Sequence, residues 1–341
     1  MSTNTEKTNK YNSANLIDQL NKRILVLDGA MGTMVQSFAL DENDFRGSIL
    51  SNHPGELMGN NELLSLTKPE VIESIHRSFL KAGADIIETN TFNGNRISQS
   101  DFSTENLIHD MNFAAARIAR KVADETSQVD PDKPRFVCGA LGPTNKMASL
   151  SPDIQNPQLR SFDFDDFKDA YYEQAIGLIE GGVDCLMVET VFDTLNAKAA
   201  LVAIDEAFTV SGSQLPLMIS VTITDASGRT LSGQTVEAFW SSVNHANLLT
   251  AGINCALGAE LIEPYLKDLA RICDRYVSVH PNAGLPNELG EYDESPEITA
   301  EFIGRFCREG LVNIVGGCCG TTPEHIRAMT ETVQGITPRK F

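Results

Sequence analysis

The sequence has no run of about 18 apolar residues, the length a helix needs to cross a bilayer. Its start, MSTNTEKTNKYNSAN, lacks the basic-then-apolar pattern of a secretion signal. Together these absences lead us to expect a cytoplasmic chain. Basic residues are scarce: 27 Lys and Arg stand against 46 Asp and Glu, a formal charge of -19. A surface that acidic repels phosphate backbones and anionic lipid, so neither nucleic acid nor membrane is an expected partner. The seven cysteines contain no CxxC pair, which argues against a zinc ribbon or thioredoxin chemistry. They are also odd in number and include the adjacent pair Cys318 and Cys319, which suits no ordinary disulfide framework; reduced thiols kept for chemistry or metal are the better expectation.

What the sequence does have is 341 residues, 42% of them hydrophobic, enough to bury a full core. Eight short runs rich in Val, Ile, Leu and small residues end in Gly, Asn, Pro or a polar residue. They are ILVLDG from Ile24, ADIIETN from Ala84, FVCGALGP from Phe136, DCLMVET from Asp184, PLMISVTIT from Pro216, AGINC from Ala251, YVSVHPN from Tyr276 and VNIVGGCC from Val312. Near-continuous apolar runs of this length are how strands of a parallel sheet covered on both faces read. Between them lie segments of helical spacing, such as VIESIHRSFLKAGA and AELIEPYLKDLARICD, and three helices stop at a glycine in KAGAD, EGGVD and REGLVN. Eight β-then-α units without a composition break predict the α/β class, as one closed (βα)8 TIM barrel.

Such a barrel needs only about 250 residues. The surplus falls just after strand ends, at residues 30–66, 144–166, 225–235 and 283–297, on the C-terminal face where barrel enzymes build their sites. Residues 1–22 read as a flexible arm leading into a short helix, 23–337 as the barrel and 338–341 as a tail.

The chemistry concentrates at those strand ends. Cys318 and Cys319 sit in GGCCG, and two neighbouring thiols can converge only if the backbone turns sharply, a freedom that Gly316, Gly317 and Gly320 supply. Cys255 ends the sixth run in GINC, so three thiols can meet at one mouth, the ligand set of a Zn²⁺ site with one position open. A strained disulfide or a pair of inert buried thiols is the alternative for the vicinal cysteines. Cys138 and Cys185, inside strands, and Cys273 and Cys307, within helices, read as small core fillers. Asp28, Glu88 and Glu189 end three further strands and together can hold an ammonium group, while N–H groups around Gly29, Ala30 and Gly32 can hold a carboxylate. Any of these acids can equally serve only to tie down its own loop. His280 reads as a structural histidine, and Asn282 as a residue that either closes strand seven or offers a weak oxygen to a metal.

At LDGAMGT, GADIIETNTF, ALGPTN, VETVFDTLNAKAA, TITDASGRTLSGQT, GINCALG, HPNAGLPN and NIVGGCCGTTPEHI the sequence closely resembles the homocysteine-binding barrel of cobalamin-dependent methionine synthase, of the homocysteine methyltransferase family. GINC and GGCCG are shared with the betaine and S-methylmethionine enzymes; DFRG, GNNELL and DASGRTLSGQT look like the cobalamin-dependent branch. The resemblance implies zinc held by Cys255, Cys318 and Cys319, with the sulfur of L-homocysteine in the open position. It implies that Asp28 and Glu189 bind the substrate ammonium, that backbone near Gly29 and Thr89 receives its carboxylate, and that Asn282 occupies the metal when substrate is absent. It further implies methylcobalamin as methyl donor, carried with folate by separate modules of the same enzyme. No DxHxxG cobalamin-ligand motif occurs in the chain, so a fragment or a separately encoded module is expected.

Overall fold

The computed structural model describes residues 15–225, 227–288, 290 and 292–341. The expected arm therefore lies, up to residue 14, outside the described residues. Eight strands form one all-parallel sheet: β1 (Leu25–Val26), β2 (Ile86–Glu88), β3 (Phe136–Leu141), β4 (Cys185–Val191), β5 (Leu217–Val221), β6 (Thr250–Gly258), β7 (Tyr276–Asn282) and β8 (Ile314–Val315). Neighbours follow sequence order, β1 pairs with β8, and a bridge between Leu27 and Ile86 joins β1 to β2, which closes the ring. The barrel read from the sequence is thus the fold, although β1 and β8 are only two residues long.

Around the ring run α1 (residues 15–22), α2 (Met31–Gln36), α3 (Glu42–Arg46), α4 (Leu64–Thr67), α5 (Pro69–Ala82), α6 (Arg96–Gln99) and α7 (Ile108–Val129). They continue with α8 (Phe164–Gly181), α9 (Thr194–Ser211), α10 (Val236–Val243), α11 (Ala259–Ile272), α12 (Pro296–Arg308) and α13 (Pro323–Val333). Strand residues facing outward, among them Val26, Ile87, Val188, Ile253 and Val279, join the helices in one large apolar core. Inward-facing Leu25, Leu27, Ile86, Phe136, Met187, Met218 and Ile314 fill the lower half of the barrel. Leu16 and Leu20 of α1 pack into that same cluster, so the short N-terminal helix plugs the bottom of the barrel and leaves the C-terminal mouth open. Cys138 and Cys185 are fully buried fillers there, as expected. Cys307 lies within α12, but Cys273 is one residue past α11, where its extended backbone caps the helix instead of continuing it.

The glycine stops have a second half that the sequence pattern contains. Gly83 and Gly182 end α5 and α8 in the left-handed region, and two residues later Asp85 and Asp184 turn back to accept the N–H of a neighbouring strand, Val26 at 2.9 Å and Val137 at 2.8 Å. Asn313, after Gly310, does the same for Val277 at 3.0 Å. Each polar residue pins the register between two parallel strands at the point where pairing begins. The tail is anchored as well, since Arg339 donates to the carbonyls of Ala270, Cys273 and Arg275.

Asp184 is fully buried and Arg120 of α7 meets it at 2.6 Å. Arg120→Met should therefore lower stability by about 3 to 5 kcal/mol in urea unfolding, because removing one partner strands a buried charge. A loss under about 1 kcal/mol would show that the pair does not hold β3 to β4.

Candidate metal and substrate site

Regular pleating sends Asn254 toward the barrel axis and Cys255 away from it. The backbone overrides this: Cys255 and Ala256 take φ values of 60° and 55°, and the pairing of β6 with β7 shifts register between Asn254 and Gly258. Left-handed backbone at a residue with a side chain costs on the order of 1 to 3 kcal/mol and persists only where the surroundings hold it. A matching break occurs on β4, where Thr190 has φ 56° and pairing with β5 shifts between Val188 and Val191. Asn254 ties the two together. Its Oδ1 accepts from the Thr190 N–H at 3.0 Å and the Ser220 hydroxyl at 2.6 Å, and its Nδ2 donates to Thr190 Oγ1 at 2.8 Å and Glu189 Oε2 at 3.3 Å.

After β8 the chain turns over a glycine run. A Cβ on Gly317 would stand 2.3 Å from Thr321 Oγ1, so no side chain fits there. Cys318 donates its N–H to Pro281 O at 2.9 Å, Cys319 O accepts from the Ala283 N–H at 2.9 Å, and Gly320 follows at φ 81°. The outcome is that the sulfurs of Cys255, Cys318 and Cys319 all lie within 4.8 Å of one another, with Cys255 and Cys319 at 3.8 Å. Two sulfurs each about 2.3 Å from one tetrahedral zinc ion stand about 3.8 Å apart, so the donor set and its spacing fit that ion. The cluster could hold a metal, and among the described residues His280 is not part of it.

Hydrogen bonds from Cys255 and Cys318, with a further one from the Tyr292 hydroxyl, hold the Cys319 thiol down to about 3. Cys318 is pushed well up by donating to Cys255 and Cys319. Tyr292 lies across the turn, where a Cβ on Gly320 would come within 2.2 Å of its Cβ, which explains the glycine.

The cluster forms one wall of a cavity of about 240 Å³. Its other walls include Asp28, Gly29, Gly32, Asn61, Glu62, Glu88, Thr89, Asn90 and Glu189. Larger grooves on the outer surface, such as one of about 580 Å³ beside Lys22, Tyr276 and Phe341, contain none of these groups. Asp28 accepts the Glu88 N–H at 3.2 Å on both oxygens, and burial followed by the Glu189 charge drives its carboxyl well above the usual range. Burial likewise pushes Glu189 up to about 7. Thr89 lines the cavity; its own N–H is given to Cys138 O at 2.9 Å within the sheet, and its hydroxyl bonds Thr91 and the Ala140 N–H. The first turn of α2, beginning at Ala30, has no side-chain cap and faces the cavity. Asn282 is buried with an unpartnered Oδ1, and His280 is buried with an unpartnered Nε2, which pushes its pKa down to about 3.

Asn254, Tyr292, Asn61 and Glu62 belong to the site but were not singled out from the sequence. Asn254 stood in view inside GINC, whereas nothing local marks Tyr292 as a neighbour of residue 319.

Comparison with known proteins places this geometry. Homocysteine methyltransferase MmuM from Escherichia coli shares the fold: its metallated form superposes with a TM-score of 0.68 at 21% identity, covering 94% of this chain and 99% of that one. Its oxidized form gives 0.72 at 18% identity over the same shares. The family description Homocysteine S-methyltransferase matches residues 25–333. Because that match runs from the first strand to the last helix, through both cysteine-bearing strand ends, the chain belongs to the homocysteine S-methyltransferase family.

Proposed function

We propose that this barrel activates the thiol of L-homocysteine for attack on a methyl group to give methionine, with methylcobalamin as the donor and methyltetrahydrofolate as the ultimate methyl source. The observation that carries the reading is a single cavity with three converging thiols on one wall and three buried carboxyl groups on another. It matches a short ligand with sulfur at one end and an ammonium at the other.

Cys255, Cys318 and Cys319 would hold zinc, which supplies Lewis acidity that lets an incoming thiol, with a pKa near ~8.5 when free, lose its proton at neutral pH. The chain's own residues do the positioning. Asp28 and Glu189 receive the ammonium, and Asn254 keeps Glu189 aimed into the cavity through its 3.3 Å bond. Backbone near Gly29 and Thr89 receives the carboxylate, the Ala30 N–H being given already to Thr321. Asn282, whose buried Oδ1 lacks a partner, would occupy the metal when substrate is absent. The substrate sulfur gains its bond to the methyl carbon as the donor's bond to that carbon breaks, and the donor keeps the electron pair. DFRG, in and just after α3, and GNNELL, running into α4, lie between β1 and α5; their likeness and that of DASGRTLSGQT to the cobalamin-dependent branch supports a cobalamin donor presented by cobalamin- and folate-binding modules.

Three outcomes test this. Reduced protein should bind about one zinc, and Cys255→Ala, Cys318→Ala and Cys319→Ala should each abolish tight binding while Cys138→Ala does not, as measured by metal analysis after gel filtration. Asp28→Asn and Glu189→Gln should weaken homocysteine about ten- to a hundredfold, from losing a charge-assisted contact of roughly 1.5 to 3 kcal/mol, yet leave zinc content and the binding of a plain alkyl thiol unchanged. Equal losses for both ligands would assign these acids to the fold. Finally, free methylcobalamin should support slow methionine formation that Cys318→Ala abolishes, slow because an untethered donor lacks effective concentration. Efficient turnover with betaine or S-methylmethionine would reassign the donor, and zinc binding without homocysteine affinity would mark a noncatalytic docking module.

A further inference from the structure

We propose that Glu88 carries a proton in the free protein and releases it when the ammonium of a zwitterionic substrate enters the cavity, so that amino-acid binding is linked to proton release at a carboxyl group. This rests on the substrate class proposed above.

The cavity wall holds four acids, Asp28, Glu62, Glu88 and Glu189, and among the described residues no Lys, Arg or His. Three of the four have donors that favour the charged form. Asp28 accepts the Glu88 N–H, Glu189 accepts from Asn254 and Thr190, and Glu62 accepts the Asn93 N–H at 2.9 Å. Glu88 differs: its Oε1 is buried and accepts nothing. The groups facing it are Asp28 from β1, Cys138 paired with it on β3, and Cys185 and Glu189 from β4, all of them neutral or negative. Burial, then Glu189 and Asp28, accordingly push the Glu88 carboxyl well above the ordinary carboxylate range. Like charges confined in one desolvated site cannot all ionise, and the acid without donors is the one that keeps the proton.

A substrate ammonium is then the first positive side of any ligand to meet this wall. It favours the carboxylate and lowers the Glu88 pKa in the complex, and the proton leaves to solvent. The sign follows: below the free-state pKa, binding releases up to one proton, so affinity for an ammonium ligand rises with pH until Glu88 is ionised in the free protein. A thiol that lacks the amino group gains nothing from this exchange, which makes Glu88 a determinant of specificity for amino acids.

Calorimetry at neutral pH in buffers of different ionisation enthalpy reads the proton count. Methionine carries the ammonium but no thiol proton, so its binding to the wild type should release a measurable fraction of one proton, and its binding to Glu88→Gln a clearly smaller one, what remains coming from Asp28 and Glu189. Homocysteine should release up to one proton fewer with Glu88→Gln than with the wild type, its thiol proton being retained in the count. Glu88→Leu, which removes the carboxyl without leaving an amide in its place, should show the same missing proton. Zero release on methionine binding to the wild type, or equal homocysteine counts in wild type and variants, would overturn the role of Glu88 while leaving thiol activation standing. Failure of homocysteine to bind the wild type at all would overturn the substrate reading and this inference with it.

Discussion

A strand of a closed barrel offers only every second side chain to the axis, and this site needs neighbours in sequence to face it together. Asn254 and Cys255 must both point inward, as must Glu189 while Thr190 completes its cradle. The structure meets that demand by breaking the pleat with left-handed residues at Thr190, Cys255 and Ala256. Each break costs energy, and Asn254 offsets it by bonding both deformed strands and Ser220 between them. The mouth is therefore strained backbone stapled by one amide, resting on a lower barrel that is filled by apolar side chains and plugged by α1.

Electrostatics follow from the same placement. The chain is acidic throughout, at -19, and its cavity is more so: four carboxyl groups and three thiols without a counter-cation. Such a site is unfavourable when empty, since burial raises the pKa of Asp28, Glu88 and Glu189 alike. On the function proposed above, a thiophilic dication at one wall and an ammonium at the other would relieve it. On that reading fold stability and ligand choice are coupled, because the groups that make the free site costly are those that would recognise what fills it.

Much of this was legible in the sequence. Parallel strands buried on both faces leave near-continuous apolar runs, and all eight were visible; glycine stops followed by Asp85, Asp184 and Asn313 were visible as well, although their register-pinning role needed coordinates. The cysteines could be gathered on topology alone, since a parallel ring brings every strand end to one mouth. What escaped was set by backbone conformation or by distance along the chain. Left-handed Cys255 and Ala256 carry no glycine to announce them. Tyr292 reaches Cys319 because the loop after β7 folds back over Gly320, a contact between segments with no shared local pattern.

The two cysteine-bearing strand ends are not neighbours, since β7 lies between β6 and β8. Sulfurs on either side can meet only if the end of the middle strand stays out of the way. Its path does this with small residues: after Asn282 come Ala283 and Gly284, and a Cβ on Gly258 would stand 2.9 Å from Gly284 Cα, so β6 and β7 touch backbone to backbone there. At the same level Cys318 N–H and Cys319 O bond the backbone of β7's end at Pro281 and Ala283, which draws the vicinal pair inward over it. The HPNAG sequence is then as much a part of the thiol site as the cysteines. It supplies the narrow floor across which Cys255 reaches Cys319, and a bulky side chain at Ala283 or Gly284 would separate the sulfurs without touching any of them.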